Sequence, residues 1–157
     1  MLPPALWLVV LGLEALLGLG AVWLAGQHGP ALIAVALNLF LVARFAMTLR
    51  PGRVPLITQY GRADPIGLPA RCEFYTRGVT AAWAVLLAGF ALVHAGAMLD
   101  LWHTADVALA QTIACTALFL AEHPLRSRLC PETGIATPWR TLRAVWLSIA
   151  AVPRHAG

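Results

Sequence analysis

Lysine is absent from this chain: all eleven basic side chains other than histidine are arginine, set against seven acids. Charge is scarce as well, at 11% of 157 residues, while 60% are apolar and mean hydropathy is +0.76. Ordinary soluble domains carry about 25% charge, so that class is excluded and a bilayer is the expected solvent. A net charge of +4 raises nucleic acid as a partner. Every arginine except Arg44 lies outside the apolar blocks, however, so the charge reads as membrane topology and contact with anionic headgroups. The three cysteines, Cys72, Cys115 and Cys130, are odd in number and lack paired ligand spacing, which argues against a metal. No nucleophile elbow, phosphate-binding glycine loop or HExxH string is present, so no motif supports an enzyme and no cofactor is expected.

What the chain does have is four apolar blocks, at residues 5–25, 31–49, 78–99 and 107–121. The first three suit a helix crossing about 30 Å of hydrocarbon, and the fourth, the shortest, is read as a span with them. The expected fold is all-α and integral to the membrane, a single domain of two antiparallel hairpins making a four-helix bundle. The first block lacks the positive flank of a cleaved signal peptide and holds Glu14, so it reads as a retained helix. Helix 31–49 should stop at Arg50-Pro51-Gly52, and helix 107–121 at Glu122, His123 and Pro124, because proline interrupts the hydrogen-bond ladder. Between the second and third blocks lies a polar loop, 50–77, holding five of the eleven arginines. Five more follow the last block, in the tail 122–157, and the two opposite turns have none. The positive-inside rule then places both termini and the loop in the cytoplasm, as in a bacterial inner membrane. Cys72 and Cys130 would face that reducing compartment, so no disulfide is expected.

Residues 138–152 are too few to span. Trp139, Leu142, Val145, Trp146 and Ile149 repeat at three and four residues beside Arg140 and Arg143, predicting an amphipathic helix lying in the interface. A short helix packed against the central loop is the rival reading.

Ionisable groups in hydrocarbon cost roughly 2.5 to 3.5 kcal/mol each on insertion scales and therefore need partners or a role. Glu14 and Arg44 fall at similar depth on adjacent blocks. They can form an ion pair that fixes helix register, or line a transport or lipid path with Asn38. His28, His94 and His103 lie toward the opposite end without metal-ligand spacing. At the arginine-rich end, Arg53, Arg62, Arg71, Tyr75 and Arg77 come before and along the start of the third block, and Glu122, His123 and Arg126 follow the fourth. These can bind a phosphate or carboxylate headgroup or a protein partner, or lock loop to tail through a pair such as Glu122 with Arg77.

Leu56-Ile57 with Arg62, Leu68-Pro69, the string Tyr75-Thr76-Arg77 with Val79-Thr80 and Trp83, and Glu122 followed by Arg126 and Arg128 carry a family resemblance. In these residues, about half of the chain, the sequence resembles an uncharacterised bacterial family of small integral membrane proteins. Genes of that family accompany fatty-acid-like synthases for aryl polyene and xanthomonadin pigments. The chain departs from the family pattern at His123, and the 138–152 tail lies outside the resemblance. The resemblance implies an accessory of lipid-like polyene assembly. An arginine-rich cytoplasmic face suits an acidic acyl carrier protein, a synthase component or a larger membrane complex as partner. The leading expectation is thus a non-catalytic scaffold subunit docking through the 50–77 loop and the tail helix. The alternative is a small transporter or lipid-handling protein using Glu14, Asn38 and Arg44.

Overall fold

A computed structural model describes residues 26–134 and 136–150, together with Leu16, Gly20 and Trp23. After a 3₁₀ turn at Gly26–His28, five α-helices follow: α1 Gly29–Thr48, α2 Leu56–Ala63, α3 Glu73–Ala97, α4 Thr104–Leu129 and α5 Pro138–Ala150. Further 3₁₀ turns sit at Ala70–Cys72 and Pro131–Thr133, and no strand occurs among the described residues. The expected first helix, 5–25, falls outside the described residues apart from Leu16, Gly20 and Trp23, which are helical.

Three stretches are long and apolar enough to cross a membrane: Gly26–Thr48, Ala70–Ala97 and Thr104–Leu129, with hydropathies of 2.0, 1.8 and 1.5. Their outward surfaces carry Leu37, Phe40, Val85, Leu92, Leu109 and Ile113, all exposed. In water such a surface would aggregate; in lipid it is solvated.

Contacts between these helices are ordered along their lengths. At one end Ala31 of α1, Ala97 of α3 and Val107 near the start of α4 form a buried cluster with Phe90, Val93 and Met98 around it. Small side chains let the backbones approach there, which is how helices associate without a hydrophobic drive. Gly96 belongs to the same packing. A Cβ there would lie 2.5 Å from the Trp102 ring, whose indole N–H donates to the Val93 carbonyl at 2.7 Å. At the other end Phe45 and Trp83 have ring centroids 6.3 Å apart, and Arg77 donates to the Leu49 carbonyl beyond α1. That guanidinium supplies a donor to the carbonyls a helix end leaves unpaired.

Three expectations are corrected. The third long helix starts at Glu73 and not near 78, so Tyr75, Thr76 and Arg77 are helical. Glu73 suits the positive end of the helix dipole, and Thr76 and Thr80 return their hydroxyls to the carbonyls of Cys72 and Thr76, at 3.3 and 2.7 Å. The fourth does not stop at Glu122 but runs through Pro124 to Leu129. An internal proline costs about 3 kcal/mol. Continuation instead buries Glu122, His123 and Arg126 in the contacts described below. The third correction concerns Cys72 and Cys130. They are 58 positions apart, almost fully buried, and joined as a disulfide with Cα atoms 6.0 Å apart. Sequence-based topology assigned each to a reducing face, but the start of α3 and the end of α4 bring them together.

The 50–77 stretch is also more than a loop. Leu56, Thr58 and Gly61 of α2 are buried, and the Thr58 and Thr76 hydroxyls lie 2.6 Å apart. α5 packs on α2, with the Arg140 guanidinium holding Asp64 at 2.9 and 3.2 Å. Ala144 is buried on this inner face, whereas Trp139, Leu142 and Trp146 remain exposed. The tail helix therefore packs through one face, as in the rival reading, and leaves the apolar side chains of the other exposed.

Candidate functional site

Two polar clusters sit inside the helices, joined by an apolar cavity. The first is centred on Gln111 of α4. Its amide N–H donates to Asn38 Oδ1 at 3.0 Å, and its Oε1 accepts from Asn38 Nδ2 at 3.2 Å and from His94 Nε2 at 2.8 Å. An amide oxygen only accepts, so His94 carries its proton on Nε2. Its Nδ1 is buried and has no hydrogen-bond partner among the described residues. Asn38 also donates to the Ala34 carbonyl at 2.8 Å. This network fastens α1, α3 and α4 to one another.

The second cluster forms where α4 continues past the expected stop. Tyr75 of α3 donates its phenol to the Glu122 carbonyl at 3.1 Å. Glu122 Oε1 lies 3.3 Å from Arg126 Nε, an i to i+4 pair with both side chains largely buried. Arg126 Nη2 donates to Thr141 Oγ1 of α5 at 2.8 Å, and His123 Nδ1 approaches the Phe119 carbonyl at 2.6 Å. A carbonyl only accepts, so Nδ1 holds the His123 proton, and Nε2 accepts from the Thr141 hydroxyl at 3.1 Å. The hydrogen bonds thus run in one direction, from Arg126 through Thr141 and His123 to the helix backbone. Both imidazole nitrogens are thus engaged, Nδ1 by the backbone and Nε2 by the Thr141 hydroxyl.

Between the clusters lies a cavity of about 350 Å³. Leu41, Phe45, Val79, Trp83, Leu87 and Phe119 form its walls; Gln111 lies at one end and Glu122, Arg126 and Thr141 at the other. From Gln111 to Glu122 is eleven residues of α4, about 16 Å at 1.5 Å per residue. Tyr60 also lines it, and burial pushes its phenol above the ordinary value against the opposing pull of Arg44. Glu122 and Val79 additionally border a second, similarly apolar cleft of about 600 Å³. The volume of each falls in the range of small-molecule sites, roughly 300 to 1,000 Å³.

The other sequence-selected residues are distributed as follows. Arg62 forms an ion pair with Glu73, Arg71 pairs with Glu132 at 2.7 Å, and Arg77 is bound to the Leu49 carbonyl. These arginines tie α2 to α3, the Ala70–Cys72 turn to the Pro131–Thr133 turn, and α3 to the chain just beyond α1. Glu122 pairs with Arg126 and not with Arg77. Arg53 and Arg44 share a different pocket from the cavity above. Glu14 lies outside the described residues. Asn38 belongs to the Gln111 network, not to a groove with Arg44. His28 approaches Asp100 at 4.0 Å, and no group of metal-ligating side chains occurs among the described residues. Gln111 and Thr141 were not among the residues selected from sequence. An amide in the middle of an apolar block was the available signal for Gln111; Thr141 had none.

These features define a class, a small helical protein of the membrane with polar groups buried along its helices. Neither protein-family models, nor curated proteins, nor solved structures match the chain.

Proposed function

We propose that this protein handles a lipid-like amphiphile, whose apolar chain occupies the 350 Å³ cavity and whose polar end reaches Glu122, Arg126 and Thr141. One observation carries the reading: a buried carboxylate and guanidinium close the end of a largely apolar cavity. Buried ions cost several kcal/mol each unless further hydrogen bonds satisfy them. Glu122 Oε1 and Arg126 Nε have no hydrogen bond among the described residues; one accepts and the other donates. A hydroxyl or protonated carboxyl offers both functions at once.

The arginine-rich end faces the cytoplasm of a bacterial inner membrane in this reading, both termini lie on that side, and residues 5–25 supply a fourth span of two antiparallel hairpins. A polyene or fatty-acyl intermediate accords with the family resemblance. Purification in a mild detergent, followed by extraction and mass spectrometry, tests the proposal. Wild-type protein retains one amphiphile near stoichiometry, and Leu41→Trp, which blocks the cavity from its exposed rim, reduces retention about tenfold with helicity unchanged. Wild-type protein that carries no amphiphile overturns it.

A second reading, a scaffold subunit, is favoured by the exposed Trp139, Leu142 and Trp146 beside Arg143 on α5. Stoichiometric recovery of an acidic carrier protein or synthase component, lost in Trp139→Ala/Trp146→Ala, would support that role instead.

A further inference from the structure

Matching acids to bases at the arginine-rich end leaves Arg44, Arg50, Arg53, Arg77, Arg128 and Arg143 without a carboxylate among the described residues, and the first three share one pocket. Each carboxylate there has its own arginine: Asp64 with Arg140, Glu73 with Arg62, Glu122 with Arg126 and Glu132 with Arg71. Arg77 is bound to the Leu49 carbonyl. The side chains of Arg44, Arg50 and Arg53 make no hydrogen bond or ion pair among the described residues, and all three line one pocket of about 310 Å³. No acid borders that pocket, and it shares no lining residue with the Glu122 cavity.

The backbone brings the three together by identifiable means. Arg50-Pro51-Gly52-Arg53 is a tight reversal in which Arg53 N–H donates to the Arg50 carbonyl at 3.1 Å and Gly52 takes φ +76°. Proline at the second position and a positive φ at the third are the requirements of a type II turn, which holds its first and fourth residues within about 7 Å. Thr48 fastens this turn to α1, its hydroxyl donating to the Phe45 carbonyl at 2.7 Å and accepting Leu56 N–H at 3.0 Å. Arg44 projects from the last turns of α1 into the same space.

Three like charges held this closely repel, and the arrangement is favourable when an oxyanion sits among them. Glu14, even if paired with Arg44, offsets one of the three. Guanidinium forks match phosphoryl oxygens bidentately, and the pocket's other walls combine the polar Thr48 and Gln59 with the apolar Met47, Val54 and Leu56, as suits a site at the edge of the hydrocarbon. We propose that Arg44, Arg50 and Arg53 form a phosphoryl-binding site, separate from the amphiphile cavity. Its ligand is a lipid phosphodiester or a soluble phosphate.

The test uses the full chain in mild detergent, with phosphatidylglycerol and inorganic phosphate as probes. The variant is Arg50→Gln/Arg53→Gln, and Arg128→Gln, another exposed arginine, is the control. If the ligand is a lipid, wild type and control retain phosphatidylglycerol about tenfold better than the double variant, and millimolar inorganic phosphate does not displace it. If it is soluble, inorganic phosphate raises the unfolding midpoint by a few degrees in wild type and control alone, and lipid retention is unchanged. Arg50→Lys/Arg53→Lys keeps the charge but loses the forks and should bind several-fold more weakly. Equal behaviour of the double glutamine variant and the control with both probes overturns the site, as does full binding by the lysine variant. Neither glutamine substitution touches the Glu122 cavity, so amphiphile retention there is unaffected by either outcome.

Discussion

The two ends of the long helices are held by different chemistry. At the Ala31–Ala97–Val107 end, small apolar side chains let the backbones close on one another, and Trp102 lies across the flat face left by Gly96. At the arginine-rich end the joints are directional: a disulfide, the Tyr75 to Glu122 carbonyl bond, the Arg126–Thr141–His123 chain and the Asp64–Arg140 pair. Close packing leaves no room between its partners, whereas directional bonds act as struts that join particular side chains without filling the space around them. The cavities described above accordingly lie at the strutted end. Stability at one end rests on volume, and at the other on bonds and ion pairs between particular side chains.

Three perturbations sharpen that contrast. The largest effect is expected for Arg126→Ala, which strands the buried Glu122 carboxylate and frees Thr141 of α5. Removing one member of a buried pair costs about 3 to 5 kcal/mol, so thermal unfolding in detergent should show a large loss and α5 should become protease-sensitive. Unchanged stability would mean that the struts carry little. Next comes the cysteine pair. Cys72→Ser should destabilise oxidised protein by about 2 to 4 kcal/mol, as expected for a bond closing a long loop. The same pair tests orientation, because a disulfide and a cytoplasmic face make opposite demands. Thiols found free by alkylation in intact cells keep the arginine-rich end in the cytoplasm. Bonded thiols invert it. The smallest effect, about 1 to 3 kcal/mol, is expected for Gly96→Ala, which drives a methyl into the Trp102 ring. That loss should leave amphiphile retention at the far end intact. If retention falls too, the ends are coupled and the contrast fails.

The three described spans were legible from sequence because a bilayer constrains length and composition, and both are visible residue by residue. Their ends were less so. Glu73, Tyr75, Glu122 and Arg126 are polar residues of a kind that elsewhere mark loops, and here each is helical because its partner comes from another helix or from the next helical turn. Pro124 signalled a stop that the surrounding contacts overrode. Among candidate site residues, Glu122, His123 and Arg126 were visible as a polar group at a helix end. Arg62, Arg71 and Arg77 looked alike beforehand, yet they serve as internal ties while Arg44, Arg50 and Arg53 converge.

By itself, then, the sequence determined that the chain is helical, apolar enough for a membrane, and asymmetric in charge, since those properties are sums over residues. Tertiary structure alone decided which cysteines meet, that Gln111 joins Asn38 to His94, and which arginines are consumed by carboxylates. Those are pairings between residues 4 to 76 positions apart, and they depend on how the helices cross.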